Sequence, residues 1–233
     1  MTTIMCFSAT ASFTVSAVLA AVGAVALAGS DRRATHMLAA IPLLFAAQQV
    51  AEGIVWRTLG TESLLHVACT DLFLGFALVV WPTWFPLALL RSEASAARRR
   101  SLRVLLWFGL AVSAVGAGLI IFMQPHAEMV AHNIHYDFGV PVGAAHFVYL
   151  LCYAVPIVAP FMVSTVTLAP IVGGALLLGL VTTLVVKLTA FTSVWCFFAA
   201  LASALLALGL HRARRTGTDC GGARGRVAAS RRT

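Results

Sequence analysis

Charge is what this sequence has least of. Only 10% of its 233 residues are Asp, Glu, Lys or Arg, against about a quarter in soluble domains. Hydrophobic residues make up 61%. A soluble protein with a large core is excluded, because too few polar side chains remain to cover its surface. The five cysteines, Cys6, Cys69, Cys152, Cys196 and Cys220, show no CxxC spacing and do not form a disulfide framework. No RNP, zinc-finger or helix-turn-helix pattern is present. The net charge is +8, yet the basic residues sit in short clusters between apolar runs, so nucleic acid is not an expected partner. No Lys or Arg precedes the first apolar run, and Arg32 and Arg33 follow it. A signal peptide has the opposite arrangement. The first helix is therefore read as retained, although "ALAGS" is a tolerable cleavage site and Met5 an alternative start. No internal repeat is evident.

What is present is a series of apolar stretches near 20 residues long, the length a helix needs to cross a bilayer. The fold class expected is all-α, an integral membrane bundle of seven helices. The spans are read at about 9–29, 36–57, 64–87, 104–123, 142–163, 169–189 and 192–210, with ends good to roughly 2–4 residues. Pro82 and Pro86 in "WPTWFP" are expected to kink or end the third, since each removes a helix hydrogen bond. Residues 1–210 form the transmembrane domain. Residues 211–233 form a basic, Gly-rich cytoplasmic tail expected to be disordered, with membrane lipid as its expected neighbour.

Orientation follows from the basic residues. Two follow the first span, five the third (Arg91, Arg98, Arg99, Arg100, Arg103) and seven the last, which places fourteen of sixteen on one side. The positive-inside rule makes that side cytoplasmic, with the N-terminus outside and the C-terminus inside. The expected location is the cell membrane as a multi-pass protein.

"QQVAEGIVW" stands out within this frame. Glu52 lies about 7–8 Å beyond the midplane of the second span, inside a core about 30 Å thick. Gln48, Glu52 and Trp56 share one helical stripe and Gln49 flanks it. Lipid offers such groups no hydrogen-bond partner, so the stripe is expected to face the bundle. Other polar residues fall at the same outer level: His66 and Asp71 in the third span, His146 in the fifth, Lys187 in the sixth, Trp195 and Cys196 in the last, and Cys6 before the first. The outer loop adds His126, Glu128, His132, His135 and Asp137. The inner half shows no ionisable side chain of comparable depth apart from the Cys152 thiol. The lopsidedness points to a polar pocket open to the outside and lidded by that loop, with His132 or Asp137 directed down toward Glu52. Polar helix ends near water account equally for His66 and His146.

Four motifs, "MCFSATASF", "QQVAEGIVW", "HNIHYD" and "TSVWCFF", resemble an uncharacterised family of bacterial multi-spanning membrane proteins, a domain of unknown function. The resemblance implies that Cys6, Ser8, Gln48, Gln49, Glu52, Trp56, His132, Tyr136, Asp137, Trp195 and Cys196 belong to the family pattern, and that the membrane is the bacterial inner membrane. Its H-x-I-x-Y-D pattern does not require His135. It implies no activity.

The chemistry leaves three readings open. In the first, a divalent metal such as zinc is held by His132, His135 and Asp137 with Cys6 and Cys196. Glu52 and Asp71 are then the catalytic candidates of a metal-assisted membrane hydrolase, analogous to alkaline ceramidases although no HxxxH stands in the last helix. In the second, a small-molecule or proton-coupled transporter or sensor binds its ligand through Gln48, Gln49, Trp56, Lys187 and Trp195, with Lys187 the leading partner of Glu52. In the third, the same groups only tie helices together, at about 0.6 kcal/mol per contact. Whether the protein is an enzyme is open at this point, as are the ligand and the oligomeric state.

Overall fold

The computed structural model describes residues 8–29, 33–130, 133–139, 143–166, 168–186 and, near the C-terminal end, 199–200, 202–205, 207 and 209. Readings that rest on Cys6, His132, Lys187, Trp195, Cys196 or the tail 211–233 lie outside the described residues.

Helix α1, Ala9–Ala28, starts at Ser8, whose hydroxyl accepts the Ala11 N–H at 3.2 Å and so satisfies one of the donors a helix start leaves open. Helices α2 (Arg33–Ala39) and α3 (Ile41–Thr58) follow each other across Ala40, with Pro42 in the first turn of α3, where a missing N–H does no harm. Helix α4, Leu64–Leu74, runs through a π-helical segment, Gly75–Val80, into α5, Trp81–Ser92. Helix α6 is Ala96–Met123, α7 Ala144–Val163 and α8 Ala169–Val186. The described residues between 199 and 209 are helical. Four stretches are long and apolar enough to cross a membrane: Ala9–Ala28, Thr35–Thr58, Leu64–Ser92 and Ala96–Met123.

The helix does not end at the prolines, and hydrogen bonding explains why. The Trp81 N–H donates to the Phe76 carbonyl five residues back. In that register the next carbonyl, Ala77, meets Pro82, which has no N–H. The Tyr153 hydroxyl donates to Ala77 instead, at 2.7 Å, and the Ser113 hydroxyl donates to the Val79 carbonyl at 2.8 Å. Pro86 likewise withholds a donor from the Pro82 carbonyl. Helix α6 presents Gly109 and Gly116 to this stretch: a Cβ at Gly109 would overlap the Pro82 oxygen, and one at Gly116 would lie 2.7 Å from the Leu78 oxygen. Small residues let the two backbones approach. A neighbouring helix thus satisfies the carbonyl that Pro82 orphans, and the helix continues.

Helix α6 also starts earlier than expected, because Arg98, Arg99, Arg100 and Arg103 extend the apolar span as helix. Arginine is a strong helix former, and Leu102 among them is buried.

The outer loop departs from the all-α expectation. It is an antiparallel hairpin of β1, His126–Val130, and β2, Asn133–Asp137, in which Ala127 faces Tyr136 and Met129 faces Ile134. "NIHYD" alternates apolar and polar residues, so the period-two signal was present. Ile134 and Tyr136 are buried.

Helices α1 and α3 pack through Gly23 against Leu43 and Gly53 against Phe13, with the Ser16 hydroxyl donating to the Ala46 carbonyl at 2.9 Å. An aromatic column, Phe45 on Trp81 on Phe85 on Phe161, joins α3, α5 and α7. Ala26, Ala39 and Ala207 form a smaller buried cluster, which sets the last helical segment beside α1.

Candidate functional site

Gln48 and Gln49 are 0% exposed and Glu52 is 2% exposed. Their inward turn follows from the sequence: on a helix whose other residues are almost all apolar, rotation alone decides whether a polar stripe meets lipid or protein. The Gln48 Oε1 accepts from the Trp81 Nε1 at 2.8 Å, while the indole ring stacks on Phe45 with centroids 3.9 Å apart. The Gln49 Nε2 donates to the Glu52 Oε2 at 3.1 Å. A carboxylate can only accept, so this bond orients the amide and points the Gln49 Oε1 the other way. That oxygen is buried and, among the described residues, has no hydrogen-bond partner. The Trp56 Nε1 and the Thr70 Oγ1 are in the same condition.

Helices α3 and α4 form an antiparallel pair, tied at the connected end where the Thr58 Oγ1 meets the His66 Nδ1 at 2.9 Å. From that tie the rise of 1.5 Å per residue sets depths. Trp56 lies about 3 Å in, Thr70 about 6 Å, Glu52 about 9 Å and Phe73 about 10 Å. The unsatisfied atoms of Trp56 and Thr70 therefore lie at neighbouring depths on packed helices, with Glu52 and Gln49 the next steps inward. His66 is accounted for by its bond to Thr58 and its place at a helix start.

The hairpin reaches the same depth through a residue that sequence reasoning assigned no chemistry. The Tyr136 ring stacks on Phe73 with centroids 4.9 Å apart. His135 and Asp137 alternate with it and so occupy the other face of β2. Asp137 is exposed, and its Oδ1 accepts the Gly139 N–H at 2.8 Å, which supports a turn where Gly139 has φ 66°. The contact over α4 is made by Tyr136 and not by Asp137. Asp71 is half-buried on α4. Among the described residues no group of three or more His, Cys, Asp or Glu is placed to hold a metal ion. His132, Cys6 and Cys196 lie outside that set.

A second buried carboxylate stands at the opposite end, where none was expected. Glu93, just after α5, is 3% exposed. Its oxygens accept from the Ser95 N–H at 2.9 Å, the Thr165 N–H at 2.7 Å, the Thr165 Oγ1 at 2.8 Å and the Ser164 Oγ at 3.3 Å. Burial by itself pushes this carboxyl up; the four hydrogen bonds to its charged form outweigh burial and hold it below the ordinary carboxylate value. Apart from Ser95, its partners Ser164 and Thr165 are about seventy residues away in the chain and carry no sequence signal pointing to it, which is why it was missed. It joins the α5–α6 connection to the α7–α8 connection.

Residues 5–220 match the family of unknown function DUF6629, and the chain belongs to that family. No curated protein and no solved structure matches it.

Proposed function

We propose that this is a multi-pass protein of the bacterial inner membrane. Its seven helices form a bundle with the N-terminus outside, and the outer half of the bundle binds a small polar molecule. The observation that carries the reading is Gln49: fully enclosed, its amide nitrogen is committed to Glu52, and its oxygen has no partner among the described residues. An unpaired buried acceptor is costly, about 1–3 kcal/mol, and such groups call for an explanation in a binding role or an ordered solvent molecule. The Glu52 carboxylate and the Gln49 carbonyl are both acceptors, which favours a ligand that donates hydrogen bonds, such as an amine, amide or hydroxyl compound. The Trp56 indole N–H offers the complementary donor. The Tyr136 contact on Phe73 supports reading the hairpin as a cover over this region, and opening it would admit the ligand from outside. Binding linked to transport or sensing is thus favoured over metal-assisted hydrolysis.

Native mass spectrometry of the purified protein and of Glu52→Gln tests the reading. A bound organic species in the wild type, absent from an equally helical variant, is the expected result. A stoichiometric metal lost in His132→Ala would replace it with the hydrolase reading. A wild type that carries nothing and matches the variant in stability would leave the cluster as helix-to-helix bonding only.

A further inference from the structure

We propose that the arginine-bearing end of α6 is a binding site for an anionic phospholipid. Arg100 and Arg103 hold the phosphate, and Trp107 packs against the glycerol and upper acyl region. The inference rests on the membrane-spanning reading of α6 and is independent of the polar cluster at the other end of the bundle.

The four arginines at this end are not equivalent. The Arg98 Nη1 donates to the Val163 carbonyl at 3.0 Å and the Arg99 Nη1 to the Glu93 carbonyl at 3.4 Å. These two guanidinium groups turn toward the protein. Arg100 and Arg103 are exposed and make no hydrogen bond or ion pair among the described residues. The nearby acid, Glu93, has its carboxylate already occupied by four donors. Positions 100, 103 and 107 follow the i, i+3, i+7 spacing of one helix face. Trp107 on that face is 71% exposed, and Val104 and Val115 continue it as exposed apolar surface.

The helix start adds a second argument. Anions are favoured at a helix N-terminus and cations disfavoured. Here the first turn holds no acid, Ser95 makes no side-chain cap bond, and arginines crowd the first two turns. A phosphate at this point reverses the mismatch: it meets two free guanidinium groups and the positive end of the helix together. From Arg103 to Trp107 the rise is about 6 Å, the step from a headgroup phosphate to the depth where interfacial tryptophans sit. That continuity with an apolar face selects a lipid over a soluble phosphate.

The test is a titration of the full-length, detergent-solubilised protein with phosphatidylglycerol or phosphatidylcholine, read by native mass spectrometry. The wild type is expected to retain phosphatidylglycerol at least tenfold better. Arg100→Gln with Arg103→Gln should bring the two lipids level, although the basic tail is intact in every arm. Trp107→Ala should weaken phosphatidylglycerol retention several-fold while circular dichroism stays unchanged. The proposal is overturned by a wild type without preference, by a folded double variant that keeps the preference, or by inorganic phosphate competing at equal concentration. Recovery of the protein from the cytosol without detergent would overturn the membrane reading and this inference with it.

Discussion

Gln48 and Gln49 are neighbours in sequence with different roles in the structure. Gln48 has a donor in Trp81, an indole already clamped between Phe45 and Phe85. Trp81→Phe keeps a ring in that stack and deletes the N–H, so it isolates the bond. The expected loss is about 1–3 kcal/mol, measured as a lower midpoint in thermal unfolding in detergent. An unchanged midpoint would mean that Gln48 finds another donor at no cost. Gln49, by contrast, keeps an oxygen beside Glu52 with no partner among the described residues. The stripe itself was legible, because a helix that is apolar almost all round makes any polar side chain conspicuous and gives it only one place to go. The partners were not legible. Trp81 and Tyr153 reach their acceptors through tertiary packing, and no local pattern announces which tryptophan of five or which tyrosine of three will do so.

Elements were easier to place than the bonds between them. Apolar length marks a span directly, and four of the expected spans fall on helices long and apolar enough to cross a membrane. Two element-scale features escaped. The hairpin was hidden by brevity, since five-residue strands are weak signals beside twenty-residue helices. The continuity of the proline-rich helix was not legible because it depends on other helices, through Ser113, Tyr153, Gly109 and Gly116. Gly109→Ala tests that dependence: a methyl group at the Pro82 carbonyl forces α6 away, and overpacking of this kind costs about 1–3 kcal/mol, again as a fall in the unfolding midpoint. The hairpin gives a separate test. Tyr136→Ala should speed hydrogen exchange across 126–137 while α3 and α4 stay protected. Uniformly faster exchange would show that Tyr136 holds the bundle and not the hairpin alone. At the opposite end from the hairpin, Glu93 makes stability depend on pH. Its folded value lies below the ordinary 4.5, so the native state favours the charged form. The resulting stability is present above about 4.5 and is lost as pH falls through the folded value. Wild type should therefore lose stability on acidification through this range, and Glu93→Gln should start lower and show a smaller acid-dependent loss. Equal acid profiles in the two proteins would dissociate the latch from the pH response.

At the scale of the molecule, the unequal ends give the bundle its direction. One end carries the arginines of α6, the Glu93 latch and the connections it joins; the other carries the hairpin and the approach to Gln49 and Glu52. Helix α6 links them. Its 28 residues extend about 42 Å at 1.5 Å each, more than the roughly 30 Å of a hydrocarbon core, so Ala97 and Met129 must emerge on opposite sides if α6 spans. Both positions are exposed, which makes them suitable for labelling. A membrane-impermeant maleimide on intact cells should modify Met129→Cys and leave Ala97→Cys untouched, against the background of the unsubstituted protein. Inverted membrane vesicles should give the reverse. The positive-inside rule predicts this sense because moving the arginine cluster across the membrane is opposed during insertion. Labelling of both from one side would mean that α6 does not cross. Exchange of the two patterns would leave the fold intact but turn the polar cluster toward the cytoplasm, so that any ligand of Gln49 and Glu52 would have to come from inside the cell.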